Sequence, residues 1–163
     1  MRDKEILKER LYESSLHNQR LSHARHSLKF LMPLTVEKYN ELDAIFISII
    51  DQMLFRFTKL QDTLGERVFP LILNLEGEPI KKMSFIDRLN RLEELEVLDR
   101  LEWMSLRNDR NEIAHEYSYN PEDVVENINF IYNRSQDLID IFERVHGYCH
   151  QKFHLSLESG GDN

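Results

Sequence analysis

A chain of 163 residues with 41% hydrophobic and 31% charged side chains fits one globular domain and lies away from the disordered and fibrous classes. Its 21 Lys and Arg against 29 Asp and Glu leave a formal net charge of −8, so the field of the whole molecule repels phosphate, and any nucleic-acid contact needs a local basic patch. The single Cys149 excludes an intrachain disulfide framework and a Cys-rich zinc site.

The opening residues MRDKEILKER lack the apolar run of a signal peptide. The longest apolar stretch, Ala44 to Ile50 with Ser48 inside it, is too short to span a bilayer. A cytoplasmic location without membrane contact is expected. Residues 3–30 carry Ile6, Leu7, Leu11, Leu16, Leu21 and Leu28 at irregular intervals, which predicts a helix with an incompletely buried face. Met32-Pro33-Leu34 breaks it. Thr35 then caps a predicted long helix, whose apolar stripe runs from Leu42, Ile45, Phe46 and Ile49 through Phe57 to Leu64, with Gly65 as its stop. Ile47 and Phe55 lie off the stripe and predict a second apolar surface, facing a neighbouring helix or another subunit.

Val68 to Leu75 forms a short segment that ends near Glu76-Gly77-Glu78-Pro79. Ser84 and Asp87 make a capping box ahead of Leu89, Leu92, Leu95, Leu98 and Leu101, which continue the helical spacing toward Trp103 and Leu106. Asn120 followed by Pro121, Glu122 and Asp123 is a strong helix start. From there Val124, Ile128, Ile131, Ser135, Leu138, Phe142 and Val145 give a near-heptad seam up to Gly147. The expected architecture is an all-α antiparallel bundle of about five or six helices, a single domain over 1–155 with a disordered tail at 156–163.

The stretch with the most chemistry runs from Leu106 to Tyr117, where cations, amides, an imidazole and a phenol crowd a helix end. At about 100° per residue, Arg107, Asn111 and His115 share one stripe, while Arg110, Ala114 and Tyr117 share a neighbouring one. Two Arg and a His offer fixed donors for a phosphate and a group that transfers protons near neutral pH. The same residues also suit a solvated helix end, where cations complement the dipole. The residues alone leave both open.

Arg110-Asn111-Glu112-Ile113-Ala114-His115-Glu116-Tyr117 resembles the Arg-Asn-x-x-x-His-x-Tyr signature of the HEPN superfamily, in particular the HepT-like toxins encoded with a minimal nucleotidyltransferase antitoxin. The resemblance covers roughly residues 36–146, with the stretch Phe57 to Gly65 similar to the end of that group's long helix. It implies a metal-independent ribonuclease toxin of a type VII-like toxin–antitoxin pair, in which the RNA 2′-hydroxyl attacks its own 3′-phosphate. In that case His115 serves as general acid or base, Arg110 stabilises charge on the phosphoryl oxygens, and Asn111 orients the imidazole or the phosphate. Arg107 lies outside the signature and is a possible helper.

Arg110 and His115 stand about 140° apart on an ideal helix, so a homodimer in which each Arg approaches the other copy's His is expected. The resemblance also makes Tyr117 the acceptor of AMP from the nucleotidyltransferase, a modification that blocks RNA by charge and bulk. RNA, the nucleotidyltransferase antitoxin and a second copy are thus the expected partners; no DNA contact is expected. The alternative is a non-catalytic interaction or substrate-binding subunit of a nucleotidyltransferase.

Neither a metal nor another cofactor is called for. Glu112-x-x-His115 and Glu143-x-x-His146 repeat a di-iron spacing. On antiparallel helices, however, the two His fall on the order of 35 Å apart at 1.5 Å per residue. His146, His150 and His154 beside Cys149 are read as a solvated face near a helix stop, and His17, His23 and His26 as surface residues. Lys81, Lys82, Arg88, Arg91 and Arg100 are the candidates for a local positive patch, diluted by Glu93, Glu94 and Glu96.

Overall fold

The computed structural model describes residues 2–113 and 119–155, the side chains of 110–112 excepted. The described residues are all-helical, with no strand among them, and form α1 (Arg2–Leu28), α2 (Val36–Glu41), α3 (Ala44–Thr63), α4 (Phe69–Leu75), α5 (Phe85–Glu94), α6 (Arg100–Glu112) and α7 (Pro121–Phe153). None of these helices is long and apolar enough to cross a membrane. The tail at 156–163, expected to be disordered, lies outside the described residues.

The first helix is more deeply buried than its hydropathy predicts. Its inner face is Leu7, Leu11, Ser14, Asn18, Leu21, Ala24 and Leu28, a regular three-and-four spacing in which two polar residues conceal the seam. Ser14 is tolerated there because its hydroxyl donates to the Arg10 carbonyl at 2.9 Å. This helix runs antiparallel to α3 and α4, with Asn74 donating to Asp3 near one end and Arg56 meeting His17 midway. Against α7, Arg25 donates to the Tyr132 carbonyl and to Ser135 Oγ at 2.7 Å, and its guanidinium lies over the Tyr132 ring at 4.2 Å.

The predicted long helix from Thr35 is in fact two. Thr35 accepts from the Lys38 N–H at 3.2 Å and starts only the six-residue α2; Asp43 accepts from the Phe46 N–H at 3.0 Å and starts α3. The chain turns between them because Leu42 is extended, with ψ 136°. Asn129 holds the approach to α2 by accepting from Leu34 N–H at 2.7 Å and donating to its carbonyl at 2.9 Å.

Gly65 does not stop α3. The helix passes through one π turn, Leu64–Val68, into α4, with the Phe69 N–H reaching back to the Leu64 carbonyl. Pro70 explains the wider turn, since it lacks an N–H and its ring would press on the carbonyl four residues earlier in a regular helix. The glycine instead permits close approach of α6, because a Cβ at Gly65 would lie 2.9 Å from Trp103 Cζ2. Trp103 is fixed from its other side by Phe69, at 4.8 Å between ring centroids.

The capping box of Ser84 and Asp87 forms as expected, with bonds of 3.1 and 3.3 Å. The leucine spacing beyond it does not continue as one helix. After α5 the chain turns left-handed at Glu96, φ +62°, where the Val97 N–H bonds the Leu92 carbonyl and the Glu96 N–H bonds the Glu93 carbonyl, both at 2.9 Å. Buried Val97 packs with Leu92 across this stop while Leu101 is left 67% exposed. In α7, Asn120 accepts from the Glu122 N–H at 3.0 Å and the predicted seam is buried. The helix runs through Gly147 for 33 residues and ends at left-handed His154. Buried Val145 and Cys149 on either side carry it past the glycine.

Candidate functional site

The signature begins in the last turn of α6. Arg110 and Asn111 belong to that helix, and their side chains, together with His115 and Tyr117, lie outside the described residues. The helix end is anchored one residue before Arg110. Arg134 of α7 donates from Nε to Asp109 Oδ2 at 2.6 Å, from Nη1 to Asp137 Oδ2 at 2.7 Å and from Nη2 to Ser105 Oγ at 3.2 Å. Asp109 is buried, so this clamp fixes how α6 is rotated against α7. Arg107, the possible helper, lies a turn earlier with its guanidinium 4.4 Å above the Phe85 ring.

Beside the helix end lies a groove of about 560 Å³, lined by Tyr39, Ile47, Leu54 and Phe55 on one side and by Ile113 and Val124 on the other. Ile113 and Val124 flank the segment that carries His115 and Tyr117 in the sequence. The off-stripe pair Ile47 and Phe55 therefore forms one wall of a surface depression next to the signature, and Phe55 remains 48% exposed.

The Phe55 ring also carries two cations, the Arg56 guanidinium at 5.0 Å and the Lys59 ammonium at 5.6 Å from its centre. Arg56 donates from Nη1 to His17 Nδ1 at 2.8 Å. His17 is thus no simple surface residue: its side chain is 12% exposed, and burial first, then Arg56, hold its pKa below the ordinary imidazole value. Burial and Arg20 likewise hold Arg56 below the usual guanidinium range. Arg20, Arg56 and Lys59 form a positive cluster on adjacent faces of α1 and α3. Sequence reasoning missed it because it joins two segments more than 30 residues apart that only the antiparallel pairing brings together.

The positive patch proposed from the sequence is largely spent on internal contacts. Arg91 pairs with Glu78 at 2.6 Å and Glu94 at 3.0 Å, Arg100 donates to Asn90 at 2.8 Å, and Arg88 donates to the Ile80 carbonyl. Lys81 and Lys82 alone of that set are fully exposed.

At the far end of α7, His146 stacks on Phe142 with ring centroids 5.9 Å apart, and His150 Nδ1 lies 3.2 Å from the Leu155 carbonyl. Burial pushes the Cys149 thiol up to about 12, which leaves it protonated and unreactive. Among the described residues no group of three or more His, Cys, Asp or Glu could hold a metal ion. No family model matches the chain, and neither a curated protein nor a solved structure does.

Proposed function

We propose that this protein is a HEPN-type, metal-independent ribonuclease toxin that acts as a homodimer and is silenced by a nucleotidyltransferase antitoxin. The observation that carries the proposal is the signature itself: Arg110 and Asn111 open it in the last turn of α6, directly after the Asp109–Arg134 clamp, with His115 and Tyr117 completing it in the sequence. A phosphate-stabilising guanidinium needs a rigid base to act before charge develops, and the clamp supports such a base. The cluster of Arg20, Arg56 and Lys59, two of whose cations lie at the groove residue Phe55, supplies local attraction for an RNA backbone that the net charge denies globally.

In this mechanism the imidazole of His115 takes the proton of a 2′-hydroxyl, whose oxygen bonds the adjacent phosphorus. The 5′-oxygen leaves, and it receives a proton from the imidazole of the second copy or from water. The products are a 2′,3′-cyclic phosphate and a 5′-hydroxyl. Arg110 holds the extra charge on the non-bridging oxygens, and Asn111 orients one of the reacting groups. The apolar wall of half-buried Ile47 and exposed Phe55 is the surface proposed for the second copy, which completes each Arg–His pair. AMP on Tyr117 would place an anion beside the phosphate site and so shut it.

The test is cleavage of RNA by the purified protein in the presence of chelator. Activity that is lost by about a hundredfold or more in His115→Ala and in Arg110→Ala, with helicity unchanged, is the expected result. No cutting by the parent protein under any condition, while it binds a nucleotidyltransferase, would instead establish the interaction-subunit alternative.

A further inference from the structure

A second cavity, of about 460 Å³, opens on the other side of α6, where the π turn, α5 and α6 meet. Its wall contains Gln61, which is 3% exposed and whose Nε2 and Oε1 both lack a hydrogen-bond partner. Arg88, on the same cavity, has a buried Nε with no partner either. Buried side-chain amides are paired in the great majority of folded proteins, so an amide with both atoms idle at the edge of a cavity marks a place where something else bonds. The π turn at this wall is itself a geometry that recurs at functional positions.

The remaining wall sets the shape of the occupant. Trp103 lines the cavity but is only 3% exposed between Gly65 and Phe69, so the open apolar surface is that of Phe85, 41% exposed, with the guanidinium of exposed Arg107 4.4 Å from its ring centre. The lining holds two carboxylates, Asp62 and Glu66, and two guanidinium groups, Arg88 and Arg107, a formal sum of zero. A phosphate or carboxylate group thus gains no net attraction there. An uncharged planar ring gains stacking and, along one edge, a donor and an acceptor from the same amide.

We propose that this cavity is a nucleobase pocket in which the ring packs against the Arg107–Phe85 pair while Gln61 bonds an edge that presents adjacent donor and acceptor groups. Such an edge exists on each of the common bases, and amide side chains and Arg planes are the usual means of holding an unstacked base. The base comes either from single-stranded RNA or from a free nucleoside. The RNA source deepens the ribonuclease proposal and rests on it; the nucleoside source does not.

Trp103 is the single tryptophan of the chain, so its fluorescence reports this cavity alone. The full-length protein is titrated with adenosine, guanosine, cytidine and uridine separately. It is also titrated with a single-stranded RNA fully 2′-O-methylated, which cannot be cleaved by 2′-hydroxyl attack. Saturable quenching by a nucleoside identifies the free-ligand source; quenching by the RNA alone identifies the strand. In either case Gln61→Leu is expected to weaken the quenching ligand at least tenfold, and Arg107→Gln severalfold.

Gln61→Leu also separates binding from architecture, because an amide with no internal partner is replaced by an apolar side chain of similar size and the melting temperature should hold or rise. Quenching that survives in His115→Ala keeps the pocket distinct from the ribonuclease proposal even if cleavage is never observed. No saturable quenching by any of the five probes, or equal affinity in Gln61→Leu and the parent protein, overturns the pocket.

Discussion

Arg134 is the best place to test how the end of α6 is held. Replacing it with Leu removes three bonds, of 2.6, 2.7 and 3.2 Å, and leaves the Asp109 carboxylate, whose side chain is 11% exposed, facing α7 without a cation. A pair at contact distance is worth about 4 kcal/mol at the effective dielectric typical of protein surfaces, before desolvation is subtracted. Stranding one partner of a fully buried pair costs about 3–5 kcal/mol. Here the Arg134 side chain is 22% exposed and Asp137 can turn to solvent, so a loss of about 2–3 kcal/mol is expected for Arg134→Leu. At a urea slope of about 2 kcal/mol/M this shifts the unfolding midpoint by about 1 M.

The double variant Asp109→Leu/Arg134→Leu removes both charges and should recover most of that loss, since paired apolar replacements of a buried ion pair are often neutral. A coupling of about 1.5 kcal/mol or more between the two sites is the expected outcome of the cycle. Additivity within about 0.5 kcal/mol would refute the clamp as an energetic unit. The functional consequence is separate. If the clamp sets the rotation of α6 under Arg110, the double variant should refold with near-parent stability yet cut RNA more slowly, because an apolar pair cannot fix the helix by directed bonds.

Glu96→Gly should stabilise the protein by about 0.5–1 kcal/mol, raising the melting temperature by about 2 °C, because only glycine adopts the left-handed turn at φ +62° without a Cβ penalty. His17 carries a pH signature. Its folded pKa lies below the free value of 6.5, so the unfolded chain takes up the proton first and stability falls as pH drops below about 6.5. The slope of urea stability between pH 7.5 and 5.5 should flatten in His17→Gln, and an unchanged slope would refute a His17 pKa lowered by burial and by Arg56. For Arg20→Gln/Lys59→Gln, both at exposed positions, the log–log salt dependence of single-stranded RNA binding should fall by about 1.4, that is about 0.7 per lost phosphate contact; an unchanged slope would move the RNA path elsewhere.

What could be read from the sequence depended on whether the decisive interaction was local. Asn120 with Pro121, and Ser84 with Asp87, are caps whose donor and acceptor lie within three residues, and both formed as expected. The α7 seam was legible because all but one of its members are apolar. The α1 seam was not, since Ser14 and Asn18 occupy two of its inward positions and break the hydropathy without breaking the burial. Glycine misled twice, in opposite contexts. Gly65 is in a helix because Trp103 of another helix needs the space, and Gly147 is in one because its neighbours are buried; neither reason is visible in the local sequence. At Glu96 the reverse holds: a residue with no turn preference ends α5 because Val97 and Leu92 are buried across the turn.

The candidate site divides along the same line. The signature from Arg110 to Tyr117 is eight consecutive residues and stood out at once, while the side chains that would serve it are spread over α1, α3 and α7. Net charge is a poor guide to local potential, because exposed charges beyond about 8 Å of one another are screened at physiological salt and a sum over the chain averages groups that never act together. Near α5, Arg91 is cancelled by Glu78 at 2.6 Å and Glu94 at 3.0 Å, while Arg88 and Arg100 are held by neutral oxygens and Lys81 and Lys82 stay exposed, so a count of cations there overstates the free field. On α1 and α3 burial first, and then the neighbouring cations, hold His17 and Arg56 below their usual values, while Glu13, 3.8 Å from His17, works the other way on the imidazole. Like charges crowded in this way weaken the fold, and an anion of another molecule lying across them would relieve that cost.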